Sequence, residues 1–324
     1  MNSLDGTKAM NGRSVGLGRR MLSRGAILLV LVLGQLRIAN CEIPVGVRFL
    51  TNGNDGWPCF SPDGKSVVFC RGDSRGTVSH LFIVSTGGGE PRRLDNIPEL
   101  VIETRPNWSA QNGLIAFVGS TDGAKSNIWT VDGNGENGRP VFESPNHLTY
   151  PSWYPDGERL VAMDYVDLAI KRFTVHGVIT GAVTKRDQVL TGMPNVSPDG
   201  RWIAFAGQAK AGKPYDQEKN SIWLIGEDGE PKLLEAGGPQ GRAPSWSPDG
   251  RQLAFESNRG GEHKNYAAYI INRDGSGLVQ VTPDEVNANH PVWSPDGKCL
   301  VFDTHRRKEG HWETGIAVVN LPRQ

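Results

Sequence analysis

One five-residue phrase constrains this chain more than anything else in it. Ser61-Pro62-Asp63-Gly64-Lys65 returns as Tyr154-Pro155-Asp156-Gly157, Ser197-Pro198-Asp199-Gly200, Ser247-Pro248-Asp249-Gly250 and Ser294-Pro295-Asp296-Gly297. A worn copy reads Ser109-Ala110-Gln111-Asn112-Gly113. The copies start at 61, 109, 154, 197, 247 and 294, so they recur every 43 to 50 residues. A period in that range marks a repeat architecture. Pro presets φ for the first corner of a type I turn, Asp suits the second, and Gly takes the left-handed residue after them. That series closes a hairpin with a G1 bulge, so each copy is expected to join two antiparallel strands.

The flanks agree. Ahead of the turn stands Pro-x-aromatic, as in Pro58-Cys59-Phe60, Pro106-Asn107-Trp108, Pro151-Ser152-Trp153, Pro244-Ser245-Trp246 and Pro291-Val292-Trp293, with Pro194-Asn195-Val196 as a weaker copy. Behind it come three short β-rich runs; in the third repeat they are 159–163, 169–175 and 188–191. Four short strands in roughly 45 residues make a propeller blade. The chain is therefore expected to be all-β, a six-bladed β-propeller of four-stranded antiparallel blades over 45–322. The sixth repeat runs out after its third strand, whereas residues 46–51 read like a fourth strand placed ahead of the first repeat. That segment is expected to complete the last blade and close the ring, removing an open strand edge.

Residues 1–41 differ in kind. Arg19, Arg20 and Arg24 precede a short apolar run over 26–34, the layout of a secretory signal, or of an anchor if uncleaved. Ile38-Ala39-Asn40-Cys41 resembles a lipoprotein cleavage box, with Asn a poor fit before the Cys. Membrane contact is expected only through this segment, if it is uncleaved or lipidated at Cys41. Lys+Arg 35 balances Asp+Glu 35, so bulk charge attracts neither nucleic acid nor an anionic membrane, and no nucleic-acid partner is expected. Cys59, Cys70 and Cys299 fall on strands of the first and last blades and allow at most one disulfide, or small buried thiols.

Pro-x-Trp-Ser-Pro-Asp-Gly-[Lys/Arg]-x-[Leu/Ile]-[Ala/Val]-Phe, best kept at 244–255 and 291–302, resembles the TolB-type β-propeller repeat from about residue 45 to the end. The resemblance implies a six-bladed propeller, export to the periplasm or envelope, and binding of protein partners such as those of the Tol–Pal system. Full-length TolB proteins also carry an α/β domain ahead of the propeller, which is not expected in the roughly 45 residues here. Similar repeats occur in propellers of prolyl-oligopeptidase-type peptidases and of exported lyases, so the resemblance fixes architecture more firmly than activity.

Within such a ring the first strand of each blade lines the channel, and the residues just before the Pro crowd its mouth: Trp57, Arg105, Tyr150, Met193, Ala243 and His290. Aromatic rings, an arginine and a histidine on one rim are the composition of a binding hot spot. Loops expected over 207–220, 256–266 and 303–315 add Arg259, His305 and Arg306 to the rim, beside Lys210, Lys213, Tyr215, His263, His311 and Trp312. Other motifs fail on context. Gly72-Asp73-Ser74-Arg75-Gly76 lies between two strands rather than on a strand-to-helix elbow. Asp132 to Glu143 echoes a calcium loop but has Asn137 where the sharp-turn Gly belongs. The seven histidines form no metal-binding spacing, and neither a cofactor nor a metal is expected.

The expectation is an exported, non-catalytic propeller binding a protein or peptide partner of the cell envelope at its channel mouth. The competing expectation is a hydrolase or lyase acting on a polysaccharide or peptide in the central channel.

Overall fold

A computed structural model describes residues 46–97, 100–141, 147–185, 187–209, 216, 219–226, 229–235, 240–259, 265–308 and 311–322, with backbone alone over 306–308 and 311–313. The signal or anchor over 1–41, Cys41, Glu143, Lys210, Lys213, Tyr215 and His263 lie outside the described residues, as do the side chains of Arg306, His311 and Trp312.

The described residues contain no α-helix. After β1 (Val47–Phe49), four strands meander as β2 (Asp55–Phe60), β3 (Ser66–Gly72), β4 (Ser79–Ser85) and β5 (Arg92–Arg93). The second meander is β6 (Ile102–Trp108), β7 (Leu114–Ser120), β8 (Asn127–Asp132) and β9 (Arg139–Pro140). The third is β10 (Leu148–Trp153), β11 (Arg159–Asp164), β12 (Ala169–Thr174) and β13 (Ile179–Ala182). The fourth is β14 (Val189–Val196), β15 (Trp202–Ala209), β16 (Ser221–Gly226) and β17 (Lys232–Leu233). The fifth is β18 (Arg242–Trp246), β19 (Gln252–Ser257), β20 (Ala267–Asn272) and β21 (Val279–Gln280). The last is β22 (Asn287–Trp293), β23 (Cys299–Lys308) and β24 (His311–Asn320). β1 pairs antiparallel with β24, Val47 opposite Val319 and Phe49 opposite Ala317, which gives this sheet its fourth strand. A single parallel bridge, Ser79 to Ile102, joins the first two meanders into one sheet.

The turns form for the reasons their residues dictate. Gly64, Gly113, Gly157, Gly200, Gly250 and Gly297 all have φ between 67° and 74°, where a Cβ is strained. In the sixth blade the Ser294 hydroxyl donates to Asp296 Oδ1 (2.7 Å) and accepts from Cys299 N–H (3.0 Å), while Lys298 N–H donates to Asp296 (3.1 Å). The turn therefore satisfies its own backbone before any tertiary contact is made.

Apolar residues from adjacent blades meet in clusters between the sheets, one at each successive junction. A further cluster joins the first and last blades, where Leu50, Phe60, Val67 and Phe69 pack with Val301, Ile316 and Val318. Phe69, Phe117, Phe205, Phe255 and Phe302, each eight residues after the start of its turn motif, are fully buried. Burying one such ring contributes about 1.5–3 kcal/mol.

Two sequence expectations need correction. The fourth strand of the third blade is β13, not 188–191. Gly177, at φ 83°, turns the chain back at once, and Val189, Leu190 and Thr191 are buried in β14, the inner strand of the next blade. The segment 303–315 is not a loop but the paired ends of β23 and β24, in register from Asp303 opposite Ile316 out to Lys308 opposite His311.

Candidate functional site: six left-handed bulges around one channel

Trp57, Arg105, Tyr150, Met193, Ala243 and His290 have φ of 57°, 53°, 56°, 52°, 48° and 49°. All are L-residues in the left-handed region, at a strain of roughly 1–2 kcal/mol each. Every inner strand breaks register at this point, between Gly56 and Cys59, Thr104 and Asn107, Thr149 and Ser152, Gly192 and Asn195, Arg242 and Ser245, and Asn289 and Val292. The proline that follows has no N–H, so the ladder bond skipped by the bulge leaves no donor orphaned. The bulges bring the six side chains to one cavity of about 90 Å³, walled by their own prolines. It takes a few waters or a single small group, well below the size of an ordinary ligand pocket.

The side chains interlock. The Trp57 and His290 rings stack with centroids 3.4 Å apart, and Tyr150 meets Trp57 edge-on at 5.4 Å. The Arg105 guanidinium caps the corner, 4.6 Å from each of the Trp57 and Tyr150 rings. Behind this cluster lie carboxylates that sequence reading did not place at the mouth. Trp57 N–H donates to Asp303 Oδ1 (3.2 Å), and so does His290 Nδ1 (2.7 Å). His290 N–H donates to Glu256 Oε2 (2.6 Å), whose other oxygen pairs with Arg242 at 2.8 Å. The carboxylate of one blade thus satisfies the strained bulge of the next. Burial pulls the His290 imidazole down, yet Asp303 and Glu256 outweigh it and hold the group above the ordinary histidine value, with Arg105 opposing them.

The signal for these carboxylates lay within the repeat. Glu256 and Asp303 each follow a buried Phe, at the position where the other blades carry Cys70, Val118, Met163 and Ala206. A second set of links uses the middle residue of Pro-x-aromatic. Cys59 Sγ accepts from Trp108 N–H, Asn107 Oδ1 from Trp153 N–H, and Ser152 Oγ from Val196 N–H. Asn195 Oδ1 accepts from Trp246 N–H and Ser245 Oγ from Trp293 N–H. Val292 offers no acceptor at the junction with the first blade, where Asp303, the His290–Trp57 stack and β1 make the connection instead.

Of the anticipated rim residues, Trp57, Arg105, Tyr150, Met193 and His290 converge on the cavity. Arg259 lies elsewhere, over the Phe255 and Tyr269 rings at 5.5 and 5.2 Å. His305 contacts Asn287 at the outer end of β22. Arg306 is placed only by its backbone, opposite Glu313. Cys59, Cys70 and Cys299 are free, and burial pushes the Cys59 and Cys70 thiols up to about 11, so neither is a ready nucleophile. Ser74 sits in the loop between β3 and β4, where the Asp73 carboxylate accepts from the N–H groups of Thr77 and Val78.

The model of the TolB beta propeller domain matches residues 47–233, more than half of the chain. The chain belongs to the TolB β-propeller domain family. Among solved structures, this family member is similar to a putative TolB from Agrobacterium tumefaciens, with TM-score 0.60 and 20% identity over 83% of this chain and 91% of that one. It is also similar to TolB from Acinetobacter baumannii, with TM-score 0.58 and 16% identity over 86% of this chain and 64% of that one. An oligogalacturonate lyase from Vibrio parahaemolyticus shares the fold at TM-score 0.54 and 14% identity, over 86% of this chain and 94% of that one. By sequence, an uncharacterized peptidase of Bacillus subtilis is 31% identical over 171 residues, 49% of this chain and 23% of that protein. An uncharacterized protein of Agrobacterium fabrum is 26% identical over 62% of this chain and 64% of its own length. The chain thus spans less than two thirds of either curated relative it matches.

Proposed function

We propose that this TolB-family propeller is exported under the direction of residues 1–41 and is non-catalytic, binding a protein or peptide partner of the envelope at its channel mouth. The observation that carries this reading is the lining of the mouth. All six blades place a strained bulge there, and two aromatic rings, an arginine and a histidine stand together on it. Strain of this kind persists where surrounding structure holds it and the geometry serves recognition. Large, stiff aromatic side chains supply contact area at a low entropy cost, and arginine is enriched beside them at binding hot spots. A cavity of about 90 Å³ suits one side chain or chain end inserted from a partner lying across the mouth.

The test is a pull-down from the host's envelope fraction with the mature protein, its N-terminus read by mass spectrometry. A partner held by the wild type and lost with Trp57→Ala or Tyr150→Ala, but kept with Ile179→Ala on the outer strand β13, supports the reading. A partner indifferent to the mouth substitutions contradicts it.

A second reading, a hydrolase or lyase in the channel, draws on the His290–Asp303 pair, which could hold a proton at Nδ1. Turnover of a peptide or polyuronate substrate that His290→Gln abolishes would favour it; no turnover of either substrate dismisses it.

A further inference from the structure

Arg242 on the inner strand β18 and Arg71 on the neighbouring strand β3 are both neutralised where they stand. Arg71 grips Asp55 with two hydrogen bonds of 2.6 and 2.9 Å, and Arg242 pairs with Glu256. Arg105 differs. Among the described residues its side chain has neither a hydrogen bond nor an ion pair, and its Nε is buried without an acceptor. Among the described residues, the carboxylates behind the mouth are committed, Asp303 to His290 and Trp57, Glu256 to Arg242 and His290. A buried donor left unmade is costly and calls for an explanation. The guanidinium is nonetheless well fixed, resting on the Trp57–Tyr150 corner.

Arg105 and Tyr150 also line a second space. This groove, of about 280 Å³, is lined besides by Ser126, His147, Thr149 and Tyr165, so its walls come from the second and third repeats. Tyr165 and its neighbour Val166 are exposed large apolar residues, at 53% and 54%. The groove therefore brings together a guanidinium with no acidic partner among the described residues, the polar residues Ser126 and Thr149, and the exposed Tyr165.

We propose that Arg105 is the receptor for a peptide carboxylate, and that the groove it shares with Tyr165 carries the adjoining residues of that peptide. The proposal deepens the binding reading above and rests on it for the nature of the ligand. A carboxylate matches the fork of a guanidinium and supplies the missing counter-charge. Its planar shape suits an approach beside aromatic walls into so small a cavity. The carboxylate comes from a chain terminus or from an Asp or Glu side chain.

The test titrates the isotopically labelled protein with N-acetyl-leucine, a terminal carboxylate, and with N-acetyl-aspartate diamide's free-acid counterpart, N-acetyl-aspartic acid α-amide, a side-chain carboxylate. N-acetyl-leucinamide is the neutral control, galacturonic acid the sugar control. The readout is the Arg105 Nε–H resonance in the wild type, assigned by its loss in Arg105→Lys. The expected result is a saturable shift with one or both acetylated acids, none with the amide, and at least about tenfold weaker binding to Arg105→Lys, read from the backbone amides that line the groove. Acid and amide acting alike, or acid binding indifferent to Arg105→Lys, overturns the proposal. Galacturonic acid acting where both acetylated acids fail overturns the peptide assignment. Because these probes need no natural partner, a failed pull-down with a positive titration rejects the partner reading and leaves the carboxylate site standing.

Discussion

Asp303 shows how much one side chain holds at this site. It accepts from the strained Trp57 N–H and from His290 Nδ1, tying the last blade to the first. Asp303→Ala leaves both donors unpaired and is expected to lower stability by about 1–3 kcal/mol in urea unfolding, whereas Asp303→Asn, which keeps an acceptor oxygen, loses less. The His290 imidazole is held above its ordinary value, so the folded state binds its proton more tightly than the unfolded chain does. Its contribution is complete below the unfolded value of about 6.5 and fades as pH rises through the higher folded value. Melting temperatures taken across this range should fall with rising pH, and His290→Gln should flatten that slope; an unchanged slope would refute the assignment. Sequence placed His290 and Trp57 on one rim but did not reveal their backbone. Left-handed φ is usually announced by Gly or Asn, and the six bulge positions carry Trp, Arg, Tyr, Met, Ala and His.

At the scale of the element, the hairpins were legible because a Ser-Pro-Asp-Gly turn is specified locally. Ser294→Ala removes the hydroxyl that accepts from Cys299 N–H and donates to Asp296, and should cost about 1 kcal/mol. Hydrogen bonds from the turn serine hold Asp63, Asp249 and Asp296 below the ordinary carboxylate value. Their stabilisation is present above the unfolded value and is lost as pH falls through the folded one. The long β23–β24 hairpin was not legible. His305-Arg306-Arg307-Lys308 has no apolar alternation to mark a strand, and backbone pairing needs none. β13 was missed for a related reason, since all four of its residues are exposed. β1 is only three residues long, yet it fills the edge of the last sheet, and the chain after it continues to bond β24 through Leu50 N–H to Ile316 O (2.8 Å). Val47→Asp puts a carboxylate into the buried cluster with Phe302 and Val319, and should cost about 3 kcal/mol or more. An unfolding midpoint equal to the wild type would show that this strand does not hold the sheet.

For the whole molecule, the periodic turns and the alternating strands between them were enough to expect blades, because each blade repeats one local solution. What binds blade to blade is less visible in sequence, since it uses single side chains such as Asn107, Asn195, Glu256 and Asp303 that reach into a neighbouring blade, from 34 residues away for Glu256 and His290 to 246 for Asp303 and Trp57. These links set six bulges around one cavity, and the proposed role depends on that convergence. It is tested most directly by photo-crosslinking in the living host, with a benzophenone amino acid at Met193 inside the mouth and, separately, at Ile179 on β13. The account predicts a discrete covalent adduct with another protein from position 193, abolished by Trp57→Ala, and none from position 179. Adducts from position 179 alone, or adducts from position 193 that survive Trp57→Ala unchanged, would contradict it.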